Sequence, residues 1–143
     1  MNNLSLLHEI KKIDHDVFRA ISNRYKSMNV DITPMHAKIL MTIYKSEGKV
    51  CQKDLEGPMS CNKSTLSSII STMEKNGLIT REVCELDSRI NHLVLTDKGM
   101  EMVEFLRKDR KYTDGILEDG ISKSERELFM QVIDKIRNNL ERI

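Results

Sequence analysis

Short polar side chains cluster between positions 62 and 72 of this chain. At helical spacing Leu66, Ile70 and Met73 share one face, and the opposite face carries Asn62, Lys63, Ser64, Ser67, Ser68, Ser71 and Thr72. Short hydroxyl and amide side chains let a helix approach the floor of the DNA major groove and bind phosphates and base edges. Ordinary solvated helix faces are also polar, but they are usually rich in Glu and Lys, whereas this one carries five hydroxyl groups. We therefore interpret the segment as a helix that reads DNA.

A polar turn with an arginine follows this helix. Strand-like residues 78–84 and 90–95 flank the turn 85–89, which predicts a β-hairpin. Arg89 at the tip can enter a DNA minor groove, where narrow A·T tracts concentrate negative potential. Asp87 is spaced to hold the guanidinium of Arg89 through two hydrogen bonds.

Four helices are predicted before the hairpin. The first covers 4–29, where the apolar residues recur at helical steps: Leu6, Ile10, Ile13, Val17, Ile21 and Met28. That stripe fits either a long core helix or an arm that binds a second copy of the chain. A second helix begins at Thr33-Pro34, with Thr33 as its N-cap, and reaches about Lys45. The third is expected over 52–56, stopped by Gly57-Pro58, and the fourth over 63–75, between a capping Asn62 and a terminating Gly77.

Two further helices are predicted after the hairpin. Thr96 caps the first of them, which is expected to reach about Glu118. Ser122 and Glu125 have the spacing of a capping box at the start of the last helix. Its apolar stripe continues to the final residue through Leu128, Val132, Ile136, Leu140 and Ile143.

The run from Leu55 to Gly99 resembles the MarR family of winged-helix transcriptional regulators. The matching segments are NKST at 62–65, EKNGLI at 74–79 followed by Arg81, DSR at 87–89 and LTDKG at 95–99. The spacing from Gly77 through Arg89 to Gly99 is the specific part. The predicted helix order outside this run agrees, so the resemblance covers essentially the whole chain.

The resemblance implies a mainly helical fold with a small β-wing hairpin. A winged helix-turn-helix is expected over 31–99, and helices at 1–30 and 100–143 are expected to form a homodimer. Its implied partner is double-stranded DNA with a pseudo-palindromic operator. Lys63, Ser64, Thr65, Ser67 and Ser68 are expected to face the major groove, and Arg89 the minor groove. The full set expected at the DNA is Lys53, Asn62, Lys63, Ser64, Thr65, Ser67, Ser68, Thr72, Arg81, Asp87, Ser88 and Arg89.

Two positions depart from the family pattern. Many members have an Arg in the recognition helix where this chain has Ser68, so base readout is expected to depend more on Lys63 and on DNA shape. A small residue normally follows the buried Leu of the third helix, but Glu56 follows Leu55 here. The packing of the third helix on the fourth is therefore left open.

The expected DNA-reading segment is not basic. From 51 to 96 it holds five Lys or Arg and six Asp or Glu, so its net charge is −1, whereas the whole chain has +1. Because phosphate contacts supply much of the affinity of DNA-binding proteins, we expect few such contacts per subunit and modest non-specific binding. Two half-sites bound by a dimer would then contribute much of the affinity.

The sequence determines least about the signal to which such a regulator would respond. Arg19, Met35, Met41 and Tyr44 are interpreted as the border of a cleft for a small aromatic or phenolic effector that releases a repressor, although core filling explains the methionines equally well. Cys51 and Cys61 flank the third helix and allow a thiol-based redox sensor as an alternative. The organic-hydroperoxide sensors of the family place their thiol in the first helix, where this chain has no Cys. A winged-helix protein–protein interaction module is the other alternative.

Other classes of function find no support in the sequence. No nucleophile elbow, phosphate-binding loop or supported carboxylate pair is present, so we expect no enzyme and no cofactor. His8 and His15 lie seven residues apart without further ligands, so no metal site is expected. No apolar run of membrane-spanning length occurs, and three cysteines do not suit a disulfide scaffold, which together favour a cytoplasmic protein.

Overall fold

The computed structural model describes residues 4–87 and 89–143. In chain order the described elements are α1 (Leu6–Ser27), α2 (Pro34–Lys45), α3 (Gln52–Met59), α4 (Lys63–Lys75), β1 (Ile79–Val83), β2 (Asn91–Leu95), α5 (Asp97–Leu117) and α6 (Lys123–Leu140). The predicted mainly helical fold with one wing hairpin is confirmed, and α1 differs from its predicted range by two residues at each end. Within the described residues, no helix combines the length and apolar character needed to cross a membrane.

The wing is an antiparallel hairpin joined to the segment that precedes α3. β1 pairs with β2 in a register that runs from Ile79 opposite Leu95 to Val83 opposite Asn91. Cys51 forms an additional antiparallel bridge with His92, and the Leu93 amide donates to the Val50 carbonyl at 2.9 Å. These bonds connect the start of the helix-turn-helix directly to the wing.

One apolar core holds α2, α3, α4 and the hairpin together. Its fully buried side chains include Ile39, Leu40, Ile43, Leu55, Leu66, Ile70, Met73, Ile79 and Leu93. Full burial of each large aliphatic side chain stabilises the fold by about 1.5–3 kcal/mol. Since α3 and α4 both contribute to this core, the open question about their packing is answered: they pack against each other.

The predicted end of α3 at Glu56 is wrong. The helix includes Gly57 and Pro58 and ends at Met59. Proline removes one backbone donor, but in a last turn the cost is outweighed because Met59 lies one helical turn after Leu55 and both side chains are buried. Ser60 then adopts a left-handed conformation with φ 51° and turns the chain toward α4.

The start of α5 depends on a glycine. The Thr96 hydroxyl accepts from the Gly99 amide at 3.0 Å, which caps the helix. A Cβ atom at position 99 would lie 2.1 Å from the carbonyl oxygen of Leu78. Only glycine therefore allows the backbones of α5 and of the segment before β1 to approach so closely.

The chain divides into two compact units within α5, the first ending at Leu106 and the second spanning Arg107–Ile143. In the first unit, α1 exposes Leu6, Leu7, Ile10, Ile13 and Phe18. In the second unit, Ser122 and Glu125 form the predicted capping box of α6, but none of the described residues of α6 is buried. Its apolar stripe therefore faces outward, with Leu128 61% exposed.

Candidate nucleic-acid interface

Local sequence signals hold α4 in place as a helix with two different faces. The Asn62 Oδ1 atom accepts from the Thr65 amide at 2.8 Å at its start, and Gly77 follows its end with φ 74°. Leu66, Ile70 and Met73 are completely buried. The polar face is exposed at Asn62, Lys63, Ser64, Thr65, Ser68, Ser71 and Thr72 and half-buried at Ser67. The predicted polar face therefore lies at the surface.

One hydroxyl of this face is partly used inside the helix. The Thr72 Oγ1 atom donates to the Ser68 carbonyl at 3.1 Å. Its oxygen keeps lone pairs that can accept, but its proton is less available to a phosphate or base. Thr72 is consequently a weaker candidate donor than the hydroxyl groups near the start of α4.

The wing tip presents a preorganised arginine. Asp87 accepts from Arg89 Nε at 3.1 Å and Nη2 at 3.2 Å, and also from the Arg89 amide at 3.0 Å. The side-chain hydrogen bonds, followed by the backbone one, lower the pKa of Asp87. The Arg89 side chain is 88% exposed, so the guanidinium is oriented while remaining accessible. The predicted contact Ser88 lies outside the described residues.

Arg81 lies in a different environment from Arg89. Its Nε donates to Glu74 Oε1 at 2.8 Å, and both side chains are about one third exposed. This ion pair joins the last turn of α4 to β1. Neither the EKNGLI motif that begins at Glu74 nor the charge of Glu74 shows that a residue seven positions from Arg81 becomes its partner. A DNA phosphate would have to compete with that carboxylate for Arg81.

Lysines flank the start of each helix of the helix-turn-helix. Lys53 is exposed in the first turn of α3, and Lys63 is exposed at the first position of α4. Three of the six acidic residues within 51–96 bind other groups of the same segment. Glu74 and Asp87 pair with the two arginines, and Asp54 accepts from Cys51. Several of the acids therefore hold or cap other groups of the interface.

Of the four residues interpreted as an effector cleft, Tyr44 borders one of two surface hollows of the first unit. Tyr44 borders a surface hollow of about 310 Å³ together with Ile43, Glu47, Val94 and Met100, among others. Met35 and Met41 are partly buried against the core, and Arg19 is exposed on α1. A second hollow of about 410 Å³ lies among the α1–α2 loop, Asn76 and one face of α5, and it includes none of the four.

Cys51, Cys61 and Cys84 form no disulfide with one another, and each has an intermediate exposure. The Cys51 amide and Sγ donate to Asp54 Oδ2 at 3.0 and 3.2 Å, and these bonds, the backbone one first, lower the pKa of Asp54. Cys61 Sγ donates to the Met59 carbonyl at 3.4 Å. Among residues 4–87 and 89–143, no cluster of three or more His, Cys, Asp or Glu could hold a metal ion.

A histidine completes the cap of α2. The Thr33 amide donates to His36 Nδ1 at 3.2 Å, and the His36 amide donates back to Thr33 Oγ1 at 3.1 Å. Because Nδ1 accepts this hydrogen bond, it carries no proton and the imidazole is neutral. Partial burial lowers the pKa of His36, against an opposing effect of the nearby Asp31 carboxylate.

The model of the MarR family matches residues 32–90. We name this matched segment the MarR-family domain. The match begins immediately before α2 and ends in the wing, so the MarR-family domain contains α2, α3, α4, β1 and the Asp87–Arg89 pair. The resemblance inferred from the motifs is thereby confirmed.

Similarity to known proteins covers more of the chain than the MarR-family domain. The chain is 26% identical over 104 residues to the HTH-type transcriptional regulator YdgJ of Bacillus subtilis (strain 168), covering 73% of this chain and 63% of YdgJ. It is 25% identical over 114 residues to the HTH-type transcriptional regulator YybA of the same strain, covering 80% of this chain and 75% of YybA. The match thus spans less than two thirds of the length of YdgJ.

A solved structure has the same fold along the whole chain. The crystal structure of the S. aureus MepR–DNA complex superposes with a TM-score of 0.83 and 20% sequence identity, covering 98% of this chain and 99% of that chain. At this identity the likeness concerns the fold alone.

Proposed function

We propose that this chain is a sequence-specific DNA-binding transcriptional regulator and not an enzyme. The observation that carries the proposal is the pairing of two features on one domain: the exposed hydroxyl face of α4 and the guanidinium of Arg89, held outward by Asp87. The names of YdgJ and YybA, and the DNA in the MepR complex, support the same conclusion.

The two features suit different grooves of a duplex. Lys63, Ser64, Thr65, Ser67 and Ser68 lie on the first turns of α4 and would face the major groove, where short donors reach base edges. Arg89 extends from the wing and would enter the adjacent minor groove. Because Ser68 offers a single hydroxyl instead of a guanidinium fork, discrimination at its base pair should be weaker than an arginine would provide.

The charge of the domain limits how the affinity arises. Arg81 is already paired with Glu74, and residues 51–96 have no excess of positive charge. Each subunit would make few phosphate contacts, so simultaneous binding of two half-sites supplies the remaining affinity.

A homodimer on a pseudo-palindromic operator meets this need. α6 exposes a continuous stripe of apolar side chains, and α1 exposes another. Single exposed apolar residues are common on protein surfaces, but a continuous apolar patch marks an interaction site. We assign the helical regions 1–30 and 100–143 to dimerisation and 31–99 to DNA binding. The regulator would act in the cytoplasm as a repressor.

A small aromatic or phenolic effector would release it from DNA. Tyr44, one of the predicted effector residues, borders the hollow between α2, β2 and the start of α5, where a ligand could bind. A ligand can shift the regulator only by binding its two states with different affinity.

The test selects bound DNA from a random pool with the full chain and measures affinity for the recovered sequence against scrambled DNA. Arg89→Ala is compared with the control variant Arg110→Ala. This control removes an exposed arginine of α5 that pairs with Asp114. We expect the first variant to lose sequence preference and the second to keep it. Recovery of no preferred sequence, or identical footprints for both variants, would contradict the proposal and favour a protein–protein interaction module.

A further inference from the structure

The carbonyl groups at the end of α3 all find partners. A helix leaves its last carbonyl groups without partners inside the helix, so side chains or the following turn must supply donors. The Cys61 amide donates to Glu56 at 3.3 Å, and the Ser60 amide donates to Gly57 at 3.0 Å. Met59 accepts from Cys61 Sγ at 3.4 Å. The remaining carbonyl, that of Pro58, accepts from the ammonium group of Lys38 at 2.8 Å.

Lys38 reaches this carbonyl from another helix. It lies on α2, where its neighbours Ile39 and Leu40 are completely buried, so the base of the side chain is firmly placed. A positive charge at a helix C-terminus is favourable, because unpaired carbonyl dipoles point outward there. The hydrogen bond is therefore a cross-link between a buried helix and the end of α3.

The cross-link acts next to the turn that orients α4. Residues 60–62 separate the two helices, and Ser60 there adopts a left-handed conformation that is costly for a residue other than glycine. Asn62 at the other side of this turn caps α4. The Pro58 carbonyl lies four residues before Asn62, so its hydrogen bond to Lys38 restrains the backbone from which α4 begins.

We propose that Lys38 is a positioning residue of the helix-turn-helix, which orients α4 through the Pro58 carbonyl and does not bind DNA itself. The proposal rests on the DNA-binding function proposed above. The competing role for an exposed lysine is a direct phosphate contact. The two roles differ in salt dependence, since a lost phosphate contact lowers the slope of log affinity against log salt by about 0.9.

The test uses three variants of the full chain. Lys38→Met keeps the apolar stem and removes the donor, Lys38→Arg keeps a donor, and Lys45→Met removes an exposed lysine elsewhere on α2. Affinity for the selected DNA and for scrambled DNA is measured over a series of salt concentrations. Amide hydrogen exchange is followed without DNA at residues 60, 61 and 65.

We expect Lys38→Met to lower affinity for the selected DNA roughly fivefold to tenfold, because α4 would then have to be ordered in its DNA-reading orientation on binding. Its salt slope and its affinity for scrambled DNA should stay unchanged, while exchange in the 60–65 turn accelerates. Lys38→Arg should restore both readouts, and Lys45→Met should leave sequence preference and exchange unchanged.

Equal losses on both DNAs with a lower salt slope would overturn the positioning role and assign Lys38 to phosphate binding. Unchanged exchange in Lys38→Met would also overturn it. The exchange measurement needs no DNA, so it decides the role of Lys38 even if the wild-type chain shows no sequence preference, an outcome that would contradict only the proposed function.

Discussion

Asp87 holds the Arg89 guanidinium in a bidentate pair at the wing tip, with Nε 3.1 Å from Oδ1 and Nη2 3.2 Å from Oδ2. The Arg89 amide also donates to the same carboxylate. The pair orders a long side chain before DNA arrives. Because flexible side chains lose rotamer freedom on binding, this order reduces the entropic cost of inserting Arg89 into a groove.

Removal of the carboxylate should therefore weaken binding without removing the groove contact. We expect Asp87→Ala to lower affinity for the selected DNA by less than Arg89→Ala, which should lose about 1–3 kcal/mol, as for a specific groove contact. Titration of labelled DNA at one salt concentration measures both. An Asp87→Ala variant that binds as weakly as Arg89→Ala would mean that the pair acts as a unit; tighter binding by Asp87→Ala would contradict the proposed preorganisation.

Two glycines of α5 should respond to alanine in opposite directions. Gly99→Ala places a Cβ against the Leu78 carbonyl at 2.1 Å, so we expect a loss of about 1–3 kcal/mol or more in the free energy of unfolding. Gly115→Ala has open space within 4 Å and should gain about 0.5–1 kcal/mol through helix propensity. Urea unfolding of both variants measures this, and equal stability of the two would refute the close approach.

The cap of α2 should make stability depend on pH through His36. Its pKa is lowered in the folded chain, chiefly by burial, so the unfolded chain binds the proton more readily. The contribution of neutral His36 is complete above the unfolded pKa of about 6.5 and is lost as pH falls through the lowered folded value. His36→Gln keeps a side-chain acceptor for the Thr33 amide and does not titrate. Thermal unfolding between pH 7.5 and 5 should show a smaller decline for His36→Gln than for the wild type, and parallel declines would exclude His36 as the cause.

An acidic side chain on the exposed stripe of α6 should dissociate the homodimer. Leu128 is 61% exposed in the single chain, and burying a carboxylate in its place against a second copy would be costly. Light scattering coupled to gel filtration should find Leu128→Glu as a monomer at concentrations where the wild type is a dimer. Gln131→Glu introduces the same charge at an exposed polar position of α6 and should remain dimeric. If Leu128→Glu also remains dimeric, α6 is not part of the interface.

Oxidants should have little effect on DNA binding. Cys51 Sγ donates to Asp54, Cys61 Sγ donates to the Met59 carbonyl, and both side chains are only partly exposed, which limits the access of an oxidant. We expect peroxide to change the affinity for DNA by less than about twofold, well below the tenfold change that corresponds to about 1.4 kcal/mol. A large loss that disappears in Cys51→Ser or Cys61→Ser would instead establish the thiol-based switch. Reducing agent added after peroxide serves as the control for reversibility.

Features that depend on neighbours in the chain could be predicted from the sequence. The caps at Thr33, Asn62 and Ser122 are side-chain contacts over three residues, and each forms as predicted. The Asp87–Arg89 pair spans two residues, so its spacing was sufficient to predict it. The motif spacing from Gly77 to Gly99 likewise indicated the MarR family, which the family model confirms over 32–90.

The end of α3 was mispredicted for the opposite reason. Gly57-Pro58 is a strong local stop signal, but burial of Met59 in the core formed with α2 and α4 extends the helix by another turn. Local propensities amount to about 1–3 kcal/mol, which burial of a large apolar side chain can offset. No feature of residues 52–59 alone reveals that compensation.

By itself, then, the sequence determined the order of the helices, their caps, the wing with its oriented Arg89 and the family of the domain. Only the tertiary structure decided that Arg81 pairs with Glu74, that Gly99 lies against Leu78 and that Lys38 bonds to Pro58. Each of these contacts joins residues at least seven positions apart across different elements. Periodicity and capping describe interactions within one element, whereas partners between elements are chosen by how the buried faces pack together.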